Sequence, residues 1–214
     1  MLKSYGHLNY RGEPLDFLLD EIFESKENGF FIELGANDGL NQSNTALLEF
    51  SRGWKGILIE PSVNAFNKCK AVRPNSICLN MACVSDTYVG DSIEGDFNGS
   101  MMSSVNGIRR GTAELVRVQV STLEKILDSY QVKTIDFLSL DTEGYEHDIL
   151  RGLNLKKYRP KYMLIEIYSK QYSELVAFLE ENKYILMCNL SGYNHKDNAL
   201  WDGTHNDYLF IDGD

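Results

Sequence analysis

Two rhythms alternate along this chain. Short unbroken apolar runs, the mark of strands buried on both faces, take turns with stretches whose apolar positions recur every third or fourth residue. Leu15, Leu18, Leu19, Ile22 and Phe23 make the first helical stripe, and Pro14 suits its opening turn. A strand follows at Phe30 to Glu33, then a helix over Asn41 to Phe50, capped by Asn41 or Ser43 with Ala46, Leu47 and Phe50 inward. Gly53-Trp54-Lys55-Gly56 turns the chain into a second strand, Ile57-Leu58-Ile59, which Glu60 ends and Pro61 closes. Val63 to Val72 has helical spacing at Val63, Phe66 and Cys69 until Arg73-Pro74-Asn75 breaks it, and Ile77 to Val84 is a third strand. The βαβαβ order predicts a parallel sheet with right-handed crossovers, its strands ending along one common edge.

The rhythm lapses from Tyr88 to Gly107, where Gly, Ser, Asp and Asn predominate, including Ser100-Met101-Met102-Ser103-Ser104; a loop or hairpin excursion is expected there. Val116 to Val120 alternates as a strand does, and Ser121-Thr122 with Glu124 opens a helix through Leu127. The strand Ile135 to Leu140 runs into Asp141-Thr142-Glu143-Gly144-Tyr145-Glu146, followed by a helix over His147 to Leu153. Tyr162 to Ile167 is a strand, Ser173 to Glu181 a helix with Leu175, Phe178 and Leu179 inward, and Tyr184 to Cys188 and Asp207 to Ile211 are the last strands. No internal repeat or linker divides the chain. It reads as one domain over residues 1–214, with a helical cap (1–28), a first half (29–87), a variable insertion (88–121) and a second half (122–214).

Composition narrows the partners. At 214 residues and 43% hydrophobic content the chain can bury a sizeable core. Its net charge of −10 repels phosphate backbones, so a nucleic-acid partner is not expected. Arg109-Arg110 with Arg117, and Lys156-Lys157 with Arg159 and Lys161, are short clusters of solvated loop surface rather than a stripe. Cys69, Cys78, Cys83 and Cys188 show neither a C-x-x-C pair nor zinc-like spacing, which fits reduced thiols in a cytoplasmic protein. Met1 to Pro14 lacks the apolar core of a signal peptide, and no run approaches the ~20 apolar residues of a membrane span.

The chemistry concentrates at the predicted strand tips. Phe30-Phe31-Ile32-Glu33-Leu34-Gly35-Ala36-Asn37-Asp38-Gly39 carries two glycines four apart, so the backbone can turn tightly and approach a ligand. A dinucleotide loop requires G-x-G-x-x-G facing a pyrophosphate. Here Glu33 precedes Gly35, which would repel a pyrophosphate but suits a cationic amino group. Glu60, at the tip of the second strand, is placed to accept two ribose hydroxyls. S-adenosylmethionine has an ammonium, a sulfonium, a ribose and no phosphate. The acid-Leu-Gly-x-x-x-Gly run followed by Glu60 therefore resembles the first two motifs of class I methyltransferases.

Longer blocks sharpen the likeness. Glu33 to Gly39, Ser43-Asn44-Thr45 with Leu48-Glu49, and Gly53-Trp54-Lys55-Gly56-Ile57-Leu58-Ile59-Glu60-Pro61 resemble the FkbM family of methyltransferases. So do Leu140 to Glu146, Ile149-Leu150-Arg151-Gly152, Ile165-Glu166 and Asn206 to Phe210, whereas Tyr88 to Gly111 matches poorly. The resemblance implies a Rossmann-like class I methyltransferase fold, an α/β architecture with a largely parallel seven-stranded sheet flanked by helices. The irregular insertion falls around residues 86–121. It also implies S-adenosylmethionine as donor and O-methylation of a small hydroxylated acceptor such as a sugar or secondary metabolite.

Carried over by position, Gly35, Ala36, Asn37 and Gly39 surround the methionine part of the cofactor, Glu33 lies near its ammonium, and Glu60 takes the ribose. The adenine is expected against Pro61 and Ser62, with Ala82, Ser85 and Asp86 at the third-strand tip; Asp86 reads equally well as a turn residue. A hydroxyl acceptor must also lose a proton. Asp141 is the first candidate base, with Glu143 and with His205, in the loop before the last strand, as others. Asp141, Glu143 and Glu166 are candidates to share Mg²⁺, hard carboxylates at adjacent tips suiting that ion; the alternative is that Glu143 and Glu166 accept ordinary hydrogen bonds. His147 and His195 read as surface residues. Two other functions stay open: a catalytically silent methyltransferase-fold binding protein, and a nicotinamide-dependent oxidoreductase, disfavoured by the missing third glycine.

Overall fold

In the computed structural model, which describes residues 2–97 and 115–214, the chain starts with α1 (Leu15–Ile22) and then alternates. β1 (Phe30–Leu34), α2 (Ala46–Arg52), β2 (Lys55–Ile59), α3 (Val63–Val72) and β3 (Ile77–Leu79) form the first half. β4 (Ala82–Cys83), β5 (Ser92–Gly95) and β6 (Val116–Ser121) lead into α4 (Leu123–Ser129), β7 (Phe137–Leu140) and α5 (Glu146–Arg151). β8 (Tyr162–Tyr168), α6 (Tyr172–Glu181), β9 (Tyr184–Asn189) and β10 (His205–Asp212) complete the chain.

Seven strands make one sheet in the order β3-β2-β1-β7-β8-β10-β9. The first five in that order are parallel, and β10 runs antiparallel to both of its neighbours. This is the expected α/β, Rossmann-like architecture. Chain order reverses between β1 and β7, so their tips part and open the crevice where such sheets bind ligands. Successive β1 side chains enter opposite cores, Ile32 and Leu34 with Ile57, Leu138 and Ile165 on one face, Phe31 with Leu58, Phe137, Leu164 and Trp54 on the other. That double burial is why the strands read as unbroken apolar runs.

The predicted third strand divides. Asn80 stands between β3 and β4, its Nδ2 donating to the carbonyls of Glu60 and Pro61 at 2.9 Å each, and the chain turns away from the large sheet. β4 instead joins a small sheet ordered β4-β6-β5, in which β5 and β6 are antiparallel arms. The excursion thus has the two arms of a hairpin; Ser100 to Gly107 and Arg109-Arg110 lie outside the described residues.

The second helix starts at Ala46, not at Asn41, and the cause is a buried acid. Glu33 Oε1 accepts from the Asn44 N–H at 3.0 Å and Oε2 from the Thr45 hydroxyl at 2.7 Å, while Ser43 Oγ sits 3.1 and 3.0 Å from the two oxygens. These bonds hold residues 43–45 out of helical register, and Ser43 Oγ receives the Ala46 N–H at 3.1 Å. Phe50 consequently faces outward, 41% exposed. In α3, capped by Ser62, Ala65 and Cys69 face inward while Val63 is exposed.

Arg73, just beyond α3, closes the cluster from a fully buried position. Its Nε donates to Glu49 Oε2 at 2.8 Å, Nη1 to the Gly39 carbonyl at 3.0 Å and to Ser43 Oγ at 3.2 Å, and Nη2 to Thr45 Oγ1 at 2.9 Å. Glu33 Oε2 lies 3.6 Å from Nη1, and the Phe31 ring packs over the guanidinium. Glu49 also accepts from the Asn75 N–H and the Ser76 hydroxyl. Removing one member of such a cluster strands the others without water. Arg73→Met is expected to lower the urea-unfolding free energy by about 3–5 kcal/mol; a loss below about 1 kcal/mol would mean that neutral donors alone hold Glu33 and Glu49.

Candidate active site

The crevice at the strand switch is a cavity of about 840 Å³ including its open mouth. Gly35 and Glu60 form its floor with Leu34 and Ile59, Met81, Ala82, Cys83 and Phe97 one wall, and Asp141, Thr142, Glu143 and Tyr145 the other. At Gly35 the backbone has φ +78°, and a Cβ would sit 1.8 Å from the Asp141 carbonyl oxygen. Only glycine lets the loops after β1 and β7 come together here. The N–H groups of Gly35 and Ala36 donate to the Ile59 carbonyl at 3.1 and 3.2 Å, laying the loop across the end of β2.

Glu60 is clamped from both sides. Its Oε2 accepts the Asn37 N–H and its Oε1 the Ser62 N–H, both at 2.8 Å. Burial lifts its carboxyl above the ordinary range, and the two N–H groups partly offset that. Each oxygen still has a lone pair to offer a hydroxyl.

The opposite wall is acidic. Asp141 is open to the cavity, yet protein closes around it on its other sides; burial first, then Glu143, Asp207 and Glu146, push its carboxyl well above the usual range. Glu146 shapes the loop: its Oε1 takes the Thr142 N–H at 2.8 Å, the Thr142 hydroxyl at 3.0 Å and the Gly144 N–H at 3.1 Å. Glu143, in the left-handed region at φ 60°, accepts from the Tyr168 hydroxyl at 2.7 Å. Behind Asp141, buried Glu166 stands 3.3 Å from Nε2 of His205, the first residue of β10.

A family model described as the methyltransferase FkbM domain matches residues 33–186. The chain belongs to the FkbM methyltransferase family. S-adenosylmethionine-dependent methyl transfer is the activity that this membership carries. No protein of curated function matches the sequence. Among solved structures, fibrillarin from Aeropyrum pernix with natively bound S-adenosyl-L-methionine aligns with TM-score 0.53 and 13% identity, over 99% of this chain and 84% of that one. The Methanococcus jannaschii fibrillarin pre-rRNA processing protein aligns with TM-score 0.51 and 15% identity, over 88% and 68%. Precorrin-6y C5,15-methyltransferase from Geobacter metallireducens gives TM-score 0.51 and 9% identity, over 92% and 87%. At these identities the likeness is one of fold.

For an FkbM methyltransferase the cavity fits the cofactor: a glycine cradle that a Cβ would fill, a fixed carboxylate at the second tip, and apolar walls for a purine. Of the residues singled out in the sequence, Gly35, Asn37, Glu60, Pro61, Ala82, Asp141 and Glu143 line it together. Others lie elsewhere. Ala36 is buried in the core, Gly39 packs on Cys69 and Arg73, and Ser62 holds Glu60 through its N–H. Glu33 is not a cavity residue: its carboxylate is consumed by Ser43, Asn44, Thr45 and Arg73. Ser85 and Asp86 are not cavity residues either: the lining from this segment stops at Cys83, and Ser85 is buried and Asp86 exposed.

The Mg²⁺ candidate finds no support, since no group of three His, Cys, Asp or Glu is set to hold a metal among the described residues. Tyr168 engages Glu143 and His205 engages Glu166 instead. Met81, Cys83, Phe97, Thr142 and Tyr145 were missed as lining residues. The first two flank Ala82 and so were within reach of the sequence pattern; Phe97, in the irregular stretch, carried no signal.

Glu60, Asp141, Glu146, Glu166 and Asp207 all have carboxyls lifted chiefly by burial. Each keeps its proton in the folded chain at pH values where the unfolded chain has released it. Their contribution to stability is complete below about pH 4, the ordinary carboxylate value, and is lost as pH rises through the folded-state values. Urea-unfolding free energy is expected to fall between about pH 5 and 8, and Glu166→Gln to flatten that fall; a rise over the same range would contradict the burial assignment.

Proposed function

We propose that this FkbM methyltransferase methylates a hydroxyl group on a small acceptor without phosphate, such as a sugar or secondary metabolite. The observation that carries the reading is Asp141, a carboxyl open to the cavity whose own carbonyl touches the Gly35 cradle. In this reading Glu60 accepts the ribose hydroxyls, Gly35 and Asn37 border the methionine part, and Pro61, Met81, Ala82 and Phe97 enclose the adenine. S-adenosylmethionine, when bound, supplies an electrophilic methyl whose transfer forms an O–C bond as the S–C bond breaks, the sulfur leaving as a neutral thioether.

The chain's own work is alignment, exclusion of water and removal of one proton. Fixed geometry can contribute ~7–11 kcal/mol in favourable intramolecular cases, and Asp141 is the proposed base. Among the described residues the cavity lining holds the carboxyls of Glu60, Asp141 and Glu143 and no Lys, Arg or His, which offers a phosphate no counter-charge and suits a neutral polyol. The described residues include no helix long and apolar enough to cross a membrane. The four free cysteines support a reducing compartment such as the cytoplasm.

Calorimetric titration with S-adenosylhomocysteine is expected to show binding to the wild-type chain, weakened at least about tenfold in Glu60→Ala, a loss the size of a charge-assisted hydrogen bond. Unchanged affinity in a folded variant removes Glu60 from the ribose site, and no wild-type binding would favour a silent fold relative. With an acceptor found by screening sugars and hydroxylated metabolites for S-adenosylhomocysteine release, Asp141→Asn should bind cofactor normally while turnover drops by about 10²–10⁴-fold. Normal turnover would move the base elsewhere.

A further inference from the structure

We propose that Asp141, Glu166 and His205 form a proton path leading from the cavity to the protein surface; the idea rests on the O-methylation reading and adds where the acceptor's proton goes. Three observations place it. Glu166 projects from β8 beside β10, its Oε1 3.3 Å from His205 Nε2. Its Oε2 is buried with no hydrogen-bond partner among the described residues, and because Leu140 pairs with Ile165 the next residues, Asp141 and Glu166, stand side by side across β7 and β8. His205 is partly exposed, its side chain at 31%, so the far end of the chain of groups reaches water.

A bare carboxylate oxygen stripped of water is costly, and two adjoining carboxyls cannot both ionise. One proton held between Asp141 and Glu166 removes both difficulties. The surroundings favour it. Glu143 faces the pair from the loop after β7, Glu146 from the start of α5 and Asp207 from β10, with His205 as the neighbouring base and His7 beside Asp207. Burial and these acids lift both carboxyls.

The imidazole is oriented to receive. Thr204 Oγ1 donates its hydrogen to Asp202 Oδ1 at 2.6 Å, so towards His205 Nδ1, 2.7 Å away, it can only accept. Neutral His205 therefore carries its hydrogen on Nδ1 and presents the Nε2 lone pair to Glu166. The balance closes in order. The acceptor's O–H proton passes to a carboxylate oxygen of Asp141, the proton already shared by the pair moves from Glu166 to His205 Nε2, and the imidazolium releases a proton to water. Glu166 and His205 act through Asp141 and are positioning residues, whereas Asp141 faces the reacting atoms.

The test needs no acceptor. The full chain, saturated with S-adenosylhomocysteine, is labelled with ¹⁵N-histidine and with ¹³C-carboxyl Asp and Glu, and titrated by NMR. Neutral His205 is expected as the Nδ1–H tautomer, and Asp141 and Glu166 are expected to titrate as one coupled pair with a step above the ordinary carboxylate range. Asp141→Asn should lower the Glu166 midpoint by about one pH unit or more. Thr204→Val, a surface change, should shift the tautomer ratio toward Nε2–H by roughly fivefold, the effect of one hydrogen bond. An Nε2–H tautomer in the wild type, independent carboxyls titrating at ordinary values, or a tautomer ratio unmoved by Thr204→Val would each overturn the path. Failure of S-adenosylhomocysteine to bind at all would instead overturn the methyl-transfer reading on which it rests.

Discussion

A guanidinium with no water around it governs the first crossover of this fold. Arg73 returns from the end of α3 to meet Glu33 on β1, Glu49 on α2 and the carbonyl of Gly39. Three elements distant in sequence are thereby fixed to one point, and the loop that borders the cavity is anchored from beneath. Charges this deeply desolvated tolerate little rearrangement, because every departure leaves a neighbour unpaired. The cradle's shape is accordingly set by a polar cluster on the side of the loop facing away from the cavity. The ligand side is left with Gly35, Asn37 and Glu60, none of which enters that cluster.

The two rims of the crevice follow opposite electrostatic rules. Below β1, acids are matched by Arg73 and a full set of donors. Glu166 on β8, Asp207 on β10, and Asp141 and Glu146 after β7 gather with histidines as the neighbouring bases, and burial before all else lifts their carboxyls. The first arrangement suits rigidity; the second holds protons that can move. A sheet whose order reverses between β1 and β7 brings these two regimes to either side of one cavity.

Much of this was legible in the sequence, and the exceptions have physical reasons. Apolar runs revealed the parallel strands because both faces of the sheet are covered, and Glu60 was identifiable from its place after Ile57-Leu58-Ile59. The spacing of Glu33 from Gly35 suits a ligand role, while its partners in the fold, Ser43 to Thr45 and Arg73, are revealed only by packing. Arg73 looked like a helix terminator beside Pro74; nothing in its neighbours announces a buried guanidinium. Ser85 and Asp86 follow the predicted third strand, of which only Met81, Ala82 and Cys83 reach the cavity. Asp141 and Glu143 are legible as tip residues because they follow a strong strand, whereas nothing in the pattern marks Glu146, three residues beyond Glu143, as the residue that secures their loop.

The contact between Gly35 and the Asp141 carbonyl ties two loops into one mechanical part. Neither main chain has room to yield, since even a methyl group would collide at that point. A displacement of the donor-side loop is therefore a displacement of the residue opposite it, and the reverse. Variation that adapts such a cavity to a new small molecule has to enter where the lining is side chain rather than backbone, as at Phe97 and Tyr145.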